Sequence, residues 1–305
     1  MRCFLSSQLT VNSVPVRDTF AEAFPVVGTR LLITAATAEL AKIAATEVSG
    51  YASSVIACDA EADIERVLSV DETPDARPGV SVLMFAFNAK GLAQAASSRV
   101  GQCVLTCATT ACFNGFPIEE GTKTIRVGGQ VRYFGDGFQI SKKLGGRRLW
   151  RIPVMDGEFI CEDHFGTFTG VGGGNLLIAG ATRDAALKAT LRSVEAMRQC
   201  GNIALPFPGG FVRSGSKVGS RYPALKASTN DKWCPTLRSQ TKTELPDNAA
   251  AVYEIVIDGT DFGAVQAAMR AGLHAATAAD GVVLVSAGNY GGKLGKHHFH
   301  LRDLV

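Results

Sequence analysis

Asn175-Leu-Leu-Ile-Ala-Gly-Ala181 echoes Arg30-Leu-Leu-Ile-Thr-Ala-Ala36, and that echo decides how the chain is parsed. Each heptapeptide is a short apolar run of strand type. Each leads into helical spacing, Glu39 to Val48 in the first case and Asp184 to Arg198 in the second. A further strand–helix–strand unit follows in both halves. Val80 to Phe87, Leu92 to Val100 and Cys103 to Thr106 take those places in the first half; Val252 to Ile257, Gly263 to Thr277 and Val282 to Ser286 take them in the second. Strand–helix–strand twice per half is the split βαβ, ferredoxin-like pattern, and self-similarity over so long a period suggests duplication. The expected fold is α+β, with two lobes, each a ferredoxin-like sandwich, and with β-rich insertions.

The insertions differ in texture from the repeats. Thr124 to Phe168 is rich in Gly, aromatic and charged residues, with hairpin-like strands expected at Ile125–Phe134, Arg148–Pro153 and Glu158–Ile160. Gly135-Asp-Gly137 and Asp156-Gly157 supply the turn signals. The lobe boundary is placed near residue 151, giving an N-terminal lobe of residues 1–151 and a C-terminal lobe of residues 152–305. A second insertion, Pro206 to Pro246, separates the two strand–helix units of the C-terminal half; loops this long are usually functional or locally folded.

Size and charge narrow the options. A chain of 305 residues and 32.1 kDa suits two compact units, and 46% hydrophobic content is ordinary for a globular protein. A net charge of +3, with the basic residues scattered, argues against nucleic acid. The longest apolar run, Val80 to Phe87, falls far short of the roughly 20 residues of a spanning helix. Met1 to Gln8 breaks into polar residues too soon for a signal-peptide core, so a cytoplasmic location and no membrane partner are expected. Eight cysteines lack any Cys-x-x-Cys pair and read as small core side chains, not as a zinc site.

Glycine-rich loops fail the nucleotide tests. Gly170-Val-Gly-Gly-Gly174 precedes a strand, whereas a dinucleotide fingerprint follows one. Gly210 to Lys217 puts its lysine one place late for a phosphate loop. His297, His298 and His300 form the one histidine cluster, read as packing or surface residues ahead of metal ligands; Glu158, Glu162, Asp163 and His164 crowd a stretch that is either a polar site or a solvated strand edge. Asn289-Tyr-Gly-Gly-Lys-Leu-Gly295 follows the last core strand and either closes over a flat ligand or makes a surface turn. Ala227-Ser-Thr-Asn-Asp231 likewise binds a polar ring edge or caps a helix. Glu254 stands alone in Val252-Tyr-Glu-Ile-Val-Ile-Asp258. Among apolar neighbours such a carboxylate resists ionising and suits acid–base work, while period-two alternation also fits a face open to water.

Taken in order, Pro206-Phe-Pro-Gly-Gly210, Ser216-Lys-Val-Gly-Ser220, Ala227 to Asp231, Val252 to Ile257, Ser286-Ala-Gly-Asn289 and Gly291-Gly-Lys-Leu-Gly295 closely resemble formylmethanofuran:tetrahydromethanopterin formyltransferases. Asp18-Thr-Phe-Ala-Glu-Ala-Phe24, Glu72-Thr-Pro-Asp75, Arg77-Pro-Gly-Val80, Val100-Gly-Gln-Cys103, Phe134-Gly-Asp-Gly137 and Gly157-Glu-Phe-Ile160 extend the likeness over nearly the whole chain.

The resemblance implies reversible formyl transfer between methanofuran and tetrahydromethanopterin, with no cofactor or metal beyond these carriers, in a two-lobed homotetramer. It implies that Glu254 is the catalytic group. Ser228, Thr229 and Asn230, with Asn289, Tyr290, Gly291, Gly292 and Lys293, are the expected substrate-binding residues. The slightly basic composition and the Lys142-Lys-Leu-Gly-Gly-Arg-Arg148 segment depart from acidic methanogen members and point towards a methylotroph. There the resemblance implies formaldehyde oxidation and formylmethanofuran hydrolase subunits as partners. Lys293, Lys296, Arg147 and Arg148 either face a glutamate-rich carrier tail or are ordinary surface charge. The alternative from another class is a non-catalytic carrier-binding or scaffold subunit of a formyltransferase/hydrolase complex.

Overall fold

The computed structural model describes residues 9–305. The Met1 to Gln8 stretch read above, with Cys3, lies outside them. Contacts divide the chain into two units, Val26–Gly170 and a second made of the residues up to Pro25 with Val171–Val305.

In the first unit, which takes β1 from Val26 onward, the order is β1 (Phe20–Thr34), α1 (Ala38–Ser49), β2 (Glu61–Leu68), β3 (Gly79–Ala86), α2 (Ala89–Arg99) and β4 (Ala111–Asn114). The strands lie in the order β4-β1-β3-β2, each antiparallel to its neighbours, which is the ferredoxin-like arrangement. Local chemistry sets the helix starts. The Thr37 and Asn88 side chains accept the backbone N–H groups of Leu40 and Gly91 as N-caps. Ala41, Ala44, Ala45 and Val48 then line one face of α1 and bury it on the sheet.

Two expected strands are corrected here. Cys103–Thr106 is helical, because α2 runs on through a π-helical turn at Val100–Val104, and the fourth strand arrives only at Ala111. Ile125–Phe134 is strand only at Thr124–Ile125; Gly128–Val131 and Arg132–Gly135 are helical turns. A Cβ at Gly128 would lie 2.2 Å from the Glu162 carbonyl oxygen, so a glycine there lets the turn press onto the neighbouring backbone.

The strands β5 (Ile140–Leu144), β6 (Arg147–Val154) and β7 (Gly157–Glu162) form an antiparallel ladder, and β7 joins β4 in parallel. Residues 151 and 152, where the lobe boundary was expected, lie in β6; by contacts the hairpin groups with the first unit, which runs from Val26 to Gly170.

The second unit repeats the plan with β8 (Phe165–Gly180), α3 (Arg183–Arg198), β9 (Ile203–Ala204), β10 (Ala251–Gly259), α4 (Phe262–Thr277) and β11 (Val282–Ser286). Its strand order, β9-β10-β8-β11, matches that of the first unit. Leu176, Ile178, Ile255, Ile257 and Val285 pack on Ala189 and Met197 of α3 and on Ala268, Met269 and Leu273 of α4. Burying each of these Leu, Ile, Val and Met side chains contributes about 1.5–3 kcal/mol. A last strand, β12 (His297–His300), pairs with Phe20–Ala23 of β1. Among the described residues no helix is long and apolar enough to cross a membrane, and no group of three or more His, Cys, Asp or Glu is placed to hold a metal ion.

Candidate active site

Side chains alternate across a strand, so the burial of Ile255 and Ile257 against the helices turns Glu254 to the opposite face of the sheet. The strand register orders that face into rows. Val252, Ala179 and Leu284 form one row, Glu254, Leu177 and Ser286 the next, and Val256 stands opposite Asn175 beyond them. In a two-layer sandwich this face meets water, which was the plain reading of the segment. The 206–246 insertion changes that. Trp233 and Leu245 close over Leu177, Ala179 and Leu284 as a small apolar cluster, with Val252 packed against it. Arg17 secures the lid, stacking 5.0 Å from the Trp233 ring and pairing with Glu244.

Glu254 sits at the edge of this dry cluster, partly buried. Its main chain exchanges two hydrogen bonds with Val212, so the insertion is stitched to the strand at this residue. Among the described residues, no hydrogen bond or ion pair reaches the carboxyl. Loss of hydration without a compensating donor pushes it from its ordinary 4.5 up to about 7. At neutral pH the group is shared between its acid and base forms, as a proton carrier requires.

The second wall is the loop after β11. Gly288 is clamped by Asn175, whose side-chain oxygen accepts its N–H at 2.6 Å and whose amide donates to its carbonyl at 3.1 Å. Asn289 donates to the Thr19 hydroxyl and the Phe20 carbonyl. Gly291 and Gly292 then take left-handed φ values of 74° and 70°, which favour glycine. Inside the turn lies Glu22, 2% exposed. One of its oxygens accepts from Tyr290 and Gly292 at 2.6 and 2.9 Å, the other from Leu294 and Gly295, both at 2.6 Å. Burial alone would raise this carboxyl, but the four N–H donors outweigh it and hold Glu22 below the usual carboxylate range. The Tyr290 phenol is pushed up, first by burial and then by the charges of Glu254 and Glu22, so it lies within the field of both carboxyls.

The expected site residues belong to two segments, the loop after β11 and the 206–246 insertion. Tyr290, Gly291, Gly292 and Lys293 belong to the pinned loop, with the N–H groups of Tyr290 and Gly292 committed to Glu22 and that of Gly291 to Asn289. With those three N–H groups committed, the Tyr290 side chain is the part of this stretch that carries a polar group at its tip. Ser228, Thr229 and Asn230 belong to the insertion. The Ser228 hydroxyl donates to the Gly219 carbonyl, and the Thr229 hydroxyl meets the Cys234 thiol at 3.4 Å. Asn230 packs over Gly215, three residues along the chain from the Val212 that bonds the Glu254 backbone.

Glu22, Asn175 and Trp233 were not singled out as site residues. Glu22 lies inside the quoted 18–24 motif, and a carboxylate among Ala21, Ala23 and Phe24 was the available signal.

The other polar stretches serve different ends. Glu162 pairs with Arg147 and accepts the Asn114 N–H, and Asp163 accepts from the Trp150 indole at 2.8 Å and faces His164. Arg147, Glu162, Asp163 and His164, with Lys143 and Arg148, line a cleft of about 1040 Å³ in the first unit. His298 and His300 flank the Phe20 ring, and His298 Nε2 meets the Gly295 carbonyl at 3.2 Å.

Comparison with known proteins covers both halves. Residues 9–154 match the family model described as formylmethanofuran-tetrahydromethanopterin formyltransferase, and residues 157–304 match its proximal-lobe model. The formylmethanofuran–tetrahydromethanopterin formyltransferase of Methylococcus capsulatus is 54% identical over 97% of this chain and 100% of its own. The formyltransferase/hydrolase complex from Methylorubrum extorquens, solved with methylofuran, contains a chain 52% identical with a TM-score of 0.93, covering 98% of this chain and 99% of that one. The enzyme from Methanosarcina barkeri superposes with a TM-score of 0.91 at 46% identity, over 97% and 100% of the two chains.

Proposed function

The chain belongs to the formylmethanofuran–tetrahydromethanopterin formyltransferase family, and from that premise we propose that it is an acyltransferase moving a formyl group reversibly between a tetrahydromethanopterin and a methanofuran-type carrier. The observation that carries this reading is Glu254, an unpaired carboxyl with its proton affinity near neutrality, at the edge of an apolar cluster.

Formyl transfer between amines is a problem of protons. The accepting nitrogen attacks the formyl carbon, and the carbonyl electron pair moves onto oxygen. The attacking nitrogen must then lose a proton, and the departing nitrogen must gain one as its bond to carbon breaks. In its base form Glu254 takes the first proton; in its acid form it returns it to the leaving nitrogen, so the enzyme ends as it began. The Tyr290 phenol, protonated well beyond neutral pH, is suited to donate towards the developing oxyanion. No metal or further cofactor is proposed, and activity is expected to survive exhaustive dialysis against chelator.

Greater identity to the Methylococcus capsulatus relative (54%) than to the Methanosarcina acetivorans relative (46%) favours a role in formaldehyde oxidation, running from formyl-tetrahydromethanopterin to the furan carrier. A homotetrameric, cytoplasmic transferase working with formylmethanofuran hydrolase subunits completes the proposal. The test is purified chain with formyl-tetrahydromethanopterin and methanofuran, followed by loss of the formylpterin absorbance. Inactivity both alone and with hydrolase subunits would replace this reading with the non-catalytic scaffold.

A further inference from the structure

We propose that Glu22 is a positioning residue for this reaction: its buried carboxylate fastens the Tyr290–Gly295 loop to β1 and thereby holds the Tyr290 phenol beside Glu254. The inference rests on the formyl-transfer reading for its kinetic part and on geometry alone for its structural part.

A carboxylate buried to 2% exposure is costly unless its lone pairs are filled. Those of Glu22 are filled by four backbone N–H groups drawn from six consecutive residues, two to each oxygen. No regular secondary structure holds this loop, so the carboxylate replaces the ladder that a strand would have supplied. Close approach is built in at the loop's far end. A Cβ at Gly295 would lie 2.4 Å from the Ala23 carbonyl oxygen, so the loop lies directly on β1. At its near end the Glu22 N–H donates to the Gly288 carbonyl, and Asn175 holds Gly288 from the other side. Tyr290 is therefore two residues from one fixed point and itself bonded to another. Its ring packs 6.3 Å from that of Phe24, and it remains 38% exposed.

Only a carboxylate suits this position. Glutamine keeps the shape but presents one acceptor and an amide N–H2, which confronts two of the four donors with a third. Loop order, not the chemical step, is what Glu22→Gln should damage.

The test combines amide exchange with a double-mutant cycle. In Glu22→Gln, exchange of the 289–295 peptide is expected to accelerate while the helical peptides of α3 and α4 stay protected. The second-order rate constant for formyl transfer, kcat/KM, is expected to fall roughly 10- to 100-fold, the range of coupling between contacting residues. In the Tyr290→Phe background the same change should cost little, since what Glu22 holds in place is already gone. Costs that add in full across the cycle, or unchanged exchange of the loop, would overturn the proposal. If Glu22→Gln does not accumulate as folded protein, Glu22→Asp, which keeps the charge but withdraws the oxygens, is put through the same cycle with the same criteria. A wild-type chain inactive under all conditions would defeat the formyl-transfer reading, and the exchange measurement would still decide whether Glu22 fastens the loop.

Discussion

Replacing Glu254 by glutamine should make the protein more stable and nearly inactive, and the two effects have one cause. The carboxyl's rise from 4.5 to about 7 comes from lost hydration. At 1.36 kcal/mol for each tenfold change in proton affinity, the ionised form is penalised by roughly 3 kcal/mol in the folded state. That is an upper figure, because part of the side chain still meets solvent. The sign follows from linkage. Below pH 4.5 the carboxyl is protonated whether the chain is folded or not, and nothing is lost. Between 4.5 and about 7 the folded state keeps a proton that the unfolded state releases, so stability declines as pH rises. Above about 7 both states are ionised and the full penalty stands.

Glu254→Gln removes the charge and keeps the shape. Urea unfolding of the two proteins at equal concentration should coincide at pH 4 and diverge through pH 4.5–7. At pH 8 the variant should lead by up to about 3 kcal/mol. Its formyl-transfer rate should fall about 10²- to 10⁴-fold, the usual worth of a general acid–base group. Equal stability at pH 8 would show that the carboxyl is not desolvated; near-wild-type turnover would remove it from the chemistry.

Two further substitutions probe the frame around this carboxyl. Trp233→Ala opens the apolar cluster beside Glu254, at a cost of about 3 kcal/mol for the lost aromatic. Water readmitted there should move the acidic limb of the kcat/KM–pH profile from near 7 towards 4.5, and an unmoved limb would mean that the insertion does not set the proton affinity. Gly180→Ala would place a Cβ 2.5 Å from the Ala186 backbone nitrogen at the start of α3. It should destabilise the protein by about 1–3 kcal/mol in thermal or urea unfolding while leaving turnover per folded molecule unchanged.

The fold was legible wherever periodicity was strong. The four long helices and the apolar strands around Leu31, Leu83, Leu176 and Ile255 stand within a few residues of where alternation and helical spacing place them. Two strands of the ferredoxin-like set were silent for a physical reason. Glu61-Ala-Asp-Ile-Glu-Arg-Val-Leu68 is an edge strand carrying acids that pair with neighbours, and Ile203–Ala204 is only two residues long. Cys103–Thr106 misled because an apolar run of four cannot separate a strand from the end of a helix. At the site, Glu254 could be found because a lone acid breaks an apolar strand. Glu22 could not be assigned its task, since its partners are main-chain N–H groups near the other end of the chain, and a backbone donor has no signature in sequence. The dryness of the Glu254 face was hidden for the same kind of reason, because Trp233 reaches it from an insertion whose path no periodicity describes.

The duplicated halves set two acids in contrasting surroundings. In the aligned heptapeptides Leu32 answers to Leu177. Leu177 stands between Glu254 and Ser286; Leu32 stands between Ser81 and Phe113, so Ser81 occupies the place that Glu254 holds in the other half. The first unit also carries an acid near this position, Glu65, at a bulge of β2 beside Ser81. Its environment is the reverse of Glu254's. The Arg30 guanidinium meets it with two 2.8 Å hydrogen bonds and the Ser81 hydroxyl adds a third at 2.6 Å, with the Glu65 side chain 5% exposed. Arg30→Met should therefore destabilise the chain by about 3–5 kcal/mol at pH 8, as removing one member of a buried ion pair does. Arg30→Met/Glu65→Leu/Ser81→Ala should recover most of that loss, because the triple change removes the charges and the hydroxyl together and leaves none of the three stranded. Urea unfolding reads both. A neutral Arg30→Met would break the contrast, since it would mean that the first unit tolerates an unpaired acid as the second does. Deleting the charge of Glu254 stabilises its unit, whereas stranding the charge of Glu65 destabilises the other. On otherwise matching sheets, the absence of a cation opposite Glu254 among the described residues leaves that acid suited to carry a proton.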